Sequence, residues 1–213
     1  MKIQSFNFND FRENTYVLSN EKNHCIIVDP GCYTYEERQE LYSYIETSKL
    51  IPLAIVNTHA HIDHVLGVSP VMQKYQIPFF LHELEKPVLD NVAQRAEFYG
   101  FPNYQVPEKV EWLNQEEMLK IGDFQFEVIF VPGHAPGHIS LFFKEERVLF
   151  AGDLLFRRSV GRTDLPLCST EDLINSIQNK IYLLPEETVV YPGHGGITRI
   201  EEEKRENPFV KAK

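Results

Sequence analysis

The chain reads as an α/β protein built from two halves, each of which runs strands first and then alternates helix with strand. Short apolar alternations separated by turn residues open both halves. Segments of helical period feed directly into buried apolar runs, and β-rich sequence restarts near Glu117 with no low-complexity linker before it. Two sheets packed face to face with helices outside would satisfy both halves.

Ile3, Phe6 and Phe8, then Tyr16 to Leu18, then Cys25 to Val28 ahead of Asp29-Pro30-Gly31, predict three short strands. Tyr35 to Thr47 has helical spacing in Leu41, Tyr44 and Ile45, and it leads into the run Ile51 to Val56, a predicted buried strand. A helix from Val65 to Tyr75, a strand Ile77 to Leu81 and a helical stretch Glu83 to Phe98 continue the alternation. The second half predicts strands at Glu117 to Ile121 and Phe124 to Val131, joined by Gly122-Asp123, then His138 to Phe143 and Arg147 to Ala151. Thr170 to Leu183 predicts a helix capped by Thr170 with Leu173, Ile174 and Ile177 inward, before a strand Thr188 to Tyr191 and a short charged helix.

Composition narrows the function. At 213 residues and 43% hydrophobic content the chain supports one substantial core, so a single domain over residues 1–213 is expected. A formal net charge of −10 argues against nucleic acid or an anionic membrane as partner, since both call for a basic surface. Met1 to Asn14 has no continuous apolar core of the signal-peptide kind, and a cytoplasmic location is expected. Cys25, Cys32 and Cys168 form no CxxC and read as reduced thiols.

Seven side chains stand out as metal ligands: His59, His61, Asp63 and His64 in T-H-A-H-I-D-H, His134 in P-G-H-A-P-G-H, Asp153 in A-G-D, and His194 in Y-P-G-H-G. Five imidazoles and two carboxylates suffice to hold two divalent cations around one activated water. His59 and His61 follow a predicted strand, where residues two apart project to the same side and can share a metal. Asp63 and His64 fall where the next helix begins, so they can address a neighbouring position. His134, Asp153 and His194 each follow a predicted strand with glycine or proline nearby, and strand exits are where open α/β folds place their sites. His24 and His82 are isolated near strand edges and read as ordinary hydrogen-bonded or exposed imidazoles. His138 shares a turn with His134 but begins a strand, which suits support of the ligands from behind rather than ligation.

T-H-A-H-I-D-H, P-G-H-A-P-G-H, A-G-D-L-L-F, V-G-R-T-D-L-P and Y-P-G-H-G, in that order and across nearly the whole chain, resemble the metallo-β-lactamase superfamily and its glyoxalase II-like branch. The resemblance implies a four-layer αββα sandwich with a dinuclear site in a groove at one edge. It implies that His59, His61 and His134 bind one metal, that Asp63, His64 and His194 bind the other, and that Asp153 bridges them. The chain ends about twenty residues after His194, without the C-terminal helical extension that supplies much of the glutathione surface in glyoxalase II enzymes, so it resembles the compact bacterial forms. Leu167-Cys168-Ser169 stands where relatives of this branch often carry glycines followed by an acidic residue.

The expected chemistry is attack of a metal-bound hydroxide on the acyl carbonyl of a small-molecule thioester such as an S-acyl-glutathione, with Asp63 orienting the hydroxide and receiving its proton. A thiolate leaves near neutral pH with little help from an acid, and no general acid is recognisable in the motifs. The cofactors expected are two divalent ions, zinc first: zinc suits the histidine-rich position, and the aspartate-containing one would also accept iron or manganese. Arg162 is a candidate for a substrate carboxylate, with an ion pair to Asp164 the equal alternative. Phe98 to Tyr104 is either a wall of the groove or a packed loop.

Four other readings frame the test. A persulfide dioxygenase of the same superfamily would use a single iron, and a metal-stabilised scaffold would have no open coordination position. β-Lactam hydrolysis is disfavoured by the missing export signal and by the Asp63-His64 pair. RNA processing is disfavoured by the acidic composition.

Overall fold

One topological pattern occurs twice along the chain: three antiparallel strands, then a helix, then a strand parallel to the third. A computed structural model describes residues 1–114 and 117–212. The chain divides into two compact units, Met1–Leu113 with Ile121–Asp123, and Asn114–Lys120 with Phe124–Lys213.

In the first unit β1 (Lys2–Phe8), β2 (Glu13–Ser19) and β3 (His24–Val28) form the meander, with Ile3 opposite Leu18 and Val17 opposite Ile27. Helix α1 (Tyr35–Thr47) carries the chain over to β4 (Ile51–Val56), parallel to β3. Then come α2 (Ile62–Val65), α3 (Val68–Tyr75), β5 (Phe79–His82), a 3-10 turn Glu83–Glu85, α4 (Lys86–Arg95) and β6 (Glu111–Leu113). The sheet order is β1-β2-β3-β4-β5-β6, its last three pairings parallel.

Local chemistry explains the best-defined helix. Thr34 Oγ accepts the Glu37 N–H at 3.1 Å while the Glu37 carboxylate accepts the Thr34 N–H at 2.9 Å, a reciprocal cap that contributes about 1 kcal/mol. The helix buries Leu41, Tyr42 and Ile45 against Phe6, Val17, Ile27, Ile55 and Phe79, and each large side chain so buried stabilises by about 1.5–3 kcal/mol.

The second unit repeats the order with β8 (Phe124–Phe130), β9 (Ile139–Phe143) and β10 (Val148–Gly152), preceded by β7 (Glu117–Ile121). A small hairpin of β11 (Leu155–Phe156) and β12 (Ser159–Val160) follows, then α5 (Thr170–Asn179) and β13 (Val189–Pro192), parallel to β10. β14 (Thr198–Arg199) and α6 (Ile200–Glu206) complete it, in the sheet order β14-β13-β10-β9-β8-β7. Leu173 and Ile177 of α5 pack with Leu149, Ala151 and Val190. Fully buried Glu203 fastens α6: its carboxylate takes Arg158 Nη1 at 2.7 Å, the Arg158 N–H at 2.9 Å, Thr198 Oγ at 2.6 Å and Asn207 Nδ2 at 2.9 Å. That contact gives Arg158 a structural role.

The expected strand–helix order holds, with local differences. The single helix expected over Val65 to Tyr75 is broken at Gly67, whose N–H bonds Pro30 O at 2.8 Å and where a Cβ would meet Cys32 Sγ at 2.5 Å. The stretch expected as one helix from Glu83 to Phe98 is a 3-10 turn followed by the shorter α4. Ser169, not Thr170, caps α5, its side chain accepting the Asp172 N–H at 3.2 Å. Among the described residues no helix is long and apolar enough to cross a membrane.

Strand β2 is buried at every residue, including Glu13. Thr15 Oγ lies 2.8 Å from Glu13 Oε2 and 2.8 Å from Asp29 O, and it accepts the Gly31 N–H at 2.9 Å. The hydroxyl has one proton, and the Asp29 carbonyl can only accept, so both short contacts are satisfied when Glu13 keeps its own proton and donates to Thr15. Burial pushes the Glu13 carboxyl well above the ordinary range, in the same direction.

The native state then holds a proton that the unfolded chain releases above a pKa of about 4.3, so the stability Glu13 contributes is full below that pH and declines as pH rises toward the raised native value. Glu13→Gln, which keeps the donor without the proton, should gain on the wild type by about 1.4 kcal/mol per pH unit across that window in urea unfolding curves. A difference independent of pH would show that Glu13 is charged in both states.

Candidate metal centre

Beyond Val56, where β4 ends, the first unit brings four predicted ligands together. His59 is fully buried and His61, the N-cap of α2, is partly exposed; their rings are 4.8 Å apart and nearly perpendicular. The His64 ring lies closer still to His59, at 4.1 Å, and His64 shares a possible metal-holding group with Asp63, the residue beside it at the start of α2. Asp63 Oδ2 is 3.6 Å from His64 Nε2.

The residues behind these ligands settle which ring nitrogen faces forward. Asp29 accepts the Thr58 N–H and the Thr58 hydroxyl, each at 2.7 Å. With that proton committed, Thr58 Oγ is the acceptor for His59 Nδ1 at 3.0 Å, which leaves Nε2 as the ligating atom. Asp29 Oδ2 also lies 3.2 Å from His64 Nδ1. Asn57 Nδ2 donates to His64 O at 2.7 Å, and Asn9 Nδ2 donates to Asp63 O at 3.0 Å, fixing α2 by its backbone.

The second unit assembles the other three. His134 Nδ1 donates to the Arg162 carbonyl at 2.8 Å, so again Nε2 faces forward. It lies 3.5 Å from Asp153 Oδ2, and His194 Nε2 lies 3.4 Å from the same oxygen. One carboxylate oxygen thus faces two imidazoles from different strand exits. His138 Nε2 accepts the Asp153 N–H at 3.1 Å, an arrangement that spends that nitrogen on holding Asp153. The Cys168 thiol donates to His134 O at 2.8 Å.

All seven predicted ligands belong to groups of imidazole and carboxylate donors able to hold a metal ion, and this donor set fits zinc, iron or manganese. The remaining candidates fall out as follows. The Arg162 guanidinium makes a two-pronged ion pair with Asp164, at 2.7 and 2.8 Å, whose hydrogen bond draws the Asp164 carboxyl down to about 2. Buried His82 accepts the Leu84 N–H at 3.3 Å, and His24 is partly exposed at the first residue of β3. Phe101 is buried on Leu66 with Tyr33, Ile62 and Tyr104 packed around it, while Phe98 and Tyr99 are exposed.

Asp29 and Thr58 were not singled out in the sequence. A signal existed for Asp29: it follows β3 as Asp153 follows β10, the equivalent strand of the other unit.

The metallo-beta-lactamase superfamily profile matches residues 9–194. A protein named hydroxyacylglutathione hydrolase GloC from Haemophilus influenzae is 34% identical over 215 residues, covering 100% of both chains. The probable metallo-hydrolase YqgX of Bacillus subtilis is 35% identical over 212 residues, covering 99% of this chain and 98% of its own. Among solved structures, the BLEG-1 B3 metallo-beta-lactamase superposes with a TM-score of 0.90 at 38% identity, covering 98% of this chain and 99% of that one. TTHA1623 in a di-iron-bound form superposes with a TM-score of 0.87 at 36% identity, covering 97% and 100%.

Gly161 offers a direct test of the second unit's geometry. A Cβ there would sit 1.9 Å from Asp153 O and 3.1 Å from His134 Cγ, whereas one at Gly196 meets nothing within 4 Å. Gly161→Ala should lower metal content and cost about 1–3 kcal/mol of stability, while Gly196→Ala retains its metal, as measured by elemental analysis and thermal unfolding. Equal metal content in the two variants would show that Gly161 does not set the Asp153 position.

Proposed function

The chain belongs to the metallo-beta-lactamase superfamily, with the fold of two mixed sheets flanked by helices, and on that premise we propose that it is a dinuclear thioester hydrolase acting on S-acyl-glutathione-like substrates. That it is a metallo-hydrolase with histidine and aspartate metal-binding clusters follows from the family and the donor groups. The thioester is the finer step. Its metals are assigned as the motifs imply, one to His59, His61 and His134, one to Asp63, His64 and His194, with Asp153 between them.

The observation that carries the dinuclear reading is Asp153 Oδ2, placed almost equally, at 3.5 and 3.4 Å, from His134 Nε2 and His194 Nε2, imidazoles assigned to different metals. The di-iron form of TTHA1623, at 36% identity, supports a pair, and GloC supports an acyl-glutathione substrate.

When bound, such a pair supplies Lewis-acid polarisation of the acyl carbonyl and acidifies the attacking water. The chain's own residues do the remainder. Asp63 accepts the water proton at a carboxylate oxygen as the new C–O bond forms. The C–S bond then breaks and a thiolate departs, a leaving group that calls for no proton donor. Thr58 and the Arg162 carbonyl hold His59 and His134 in the tautomer that presents Nε2, so no reorientation is needed during turnover.

Protein purified without chelators should carry two metals per chain and hydrolyse S-lactoylglutathione or simpler thioesters. Asp63→Ala should lower kcat by about 10²–10⁴-fold, while His24→Ala stays near wild type. One iron per chain, with oxygen consumed in the presence of a persulfide and no thioester turnover, would replace this reading with the dioxygenase. The B3 lactamase relative makes a β-lactam the necessary comparison substrate, and faster turnover of it would reassign the acyl donor.

A further inference from the structure

Glu85 is a fully buried carboxylate outside the predicted ligand set. It ends the 3-10 turn Glu83–Glu85 that follows β5, and β5 runs parallel to β4, so the exits of both strands lie at the same edge of the sheet. From there Glu85 Oε2 accepts the N–H of Ala60 at 2.8 Å. Ala60, itself fully buried, is the residue between His59 and His61. Asp29 accepts the Thr58 N–H two residues earlier, so alternate peptide N–H groups of the loop are held by buried carboxylates from two different strand exits.

We infer that Glu85 is a positioning residue for the metal centre, one that fixes the backbone between His59 and His61 so that both imidazoles address one cation. The inference rests on the reading that His59 and His61 hold a metal. Two arguments carry it. The Ala60 N–H lies in the peptide plane that joins His59 to Ala60, so holding it fixes the plane from which the His59 Cα–Cβ bond projects and the start of the one further peptide that leads to His61. The acceptor placed there is a carboxylate, and its negative charge beside the loop is complementary to a divalent cation held by the flanking imidazoles.

Cobalt(II) serves as probe, with affinity measured by chelator competition and geometry by the visible d–d bands, on the full chain stripped of metal. Glu85→Gln keeps an acceptor of the same shape and should weaken cobalt binding about 10-fold with little change in the bands. Glu85→Ala removes acceptor and charge and should weaken binding about 100-fold with altered bands. Unfolding of the metal-free proteins is recorded alongside. Wild-type cobalt affinity and bands in the glutamine variant, with only the metal-free melting temperature lowered, would overturn the proposal and make Glu85 a structural cap. A wild-type protein that binds no cobalt would overturn the metal reading itself, a failure distinguishable from the first because it precedes any variant.

Discussion

An imidazole can offer one nitrogen to a cation only when the other is already committed, and that requirement reaches further into this chain than the ligands do. Thr58 can fix His59 because its own proton goes to Asp29, and Asp29 can take it because β3 ends there. The Arg162 carbonyl can fix His134 because the loop after the β11–β12 hairpin returns to it, with Gly161 admitting the close approach. His59 and His134 are therefore each the last link of a short chain of hydrogen bonds that begins near a strand exit. Such links determine whether the site exists before any cation arrives, since reorienting buried rings at the moment of binding would cost affinity.

The repeated topology explains where those links originate. In both units a meander is followed by a helix and a parallel strand, so two parallel strands end side by side and release their loops at one edge. The loop after β3 brings Asp29 and the loop after β10 brings Asp153, equivalent in position and different in task. Asp29 spends its oxygens on Thr58, behind the imidazoles, whereas Asp153 turns one oxygen toward two of them while its N–H is held by His138. The same backbone slot thus yields a support in one unit and a predicted ligand in the other, and the difference lies in which donors surround the carboxylate.

This accounts for what could be read in advance. The ligand motifs were legible because their information is local: H-x-H-x-D-H at a strand exit has no packing use. Helix α1 and strand β4 were legible to the residue because Leu41, Tyr44 and Ile45 keep helical spacing and Ile51–Val56 is a continuous apolar run. β6, β11, β12 and β14, each two or three residues long, exist only because a neighbouring strand lies alongside, and no period can register in so few positions. Gly67 breaks a helix through contact with Pro30 and Cys32, residues over thirty positions away. Glu85 was invisible as a site residue for the same reason, since its role is defined by a hydrogen bond to Ala60 that only the folded chain creates, and the position of Asp29 after β3 hinted at the site without showing its bonds to Thr58.

The buried acids also show why the chain's negative charge is not merely a surface property. Glu13, Asp29, Asp63, Glu85 and Asp153 are all buried, a concentration that would be self-defeating in an apolar interior without compensation. The first unit resolves this in two ways. Glu13 faces a hydroxyl already committed to a carbonyl, so keeping its proton is the arrangement that satisfies every contact, and it adds no charge. Asp29 and Glu85 instead face the backbone of the ligand loop itself, where negative charge is complementary to a bound cation. Each buried carboxylate is thus met in its own way: Asp29 and Glu85 by N–H groups of the ligand loop, Glu203 of the second unit by Arg158, and Glu13, which faces Thr15, by keeping its proton.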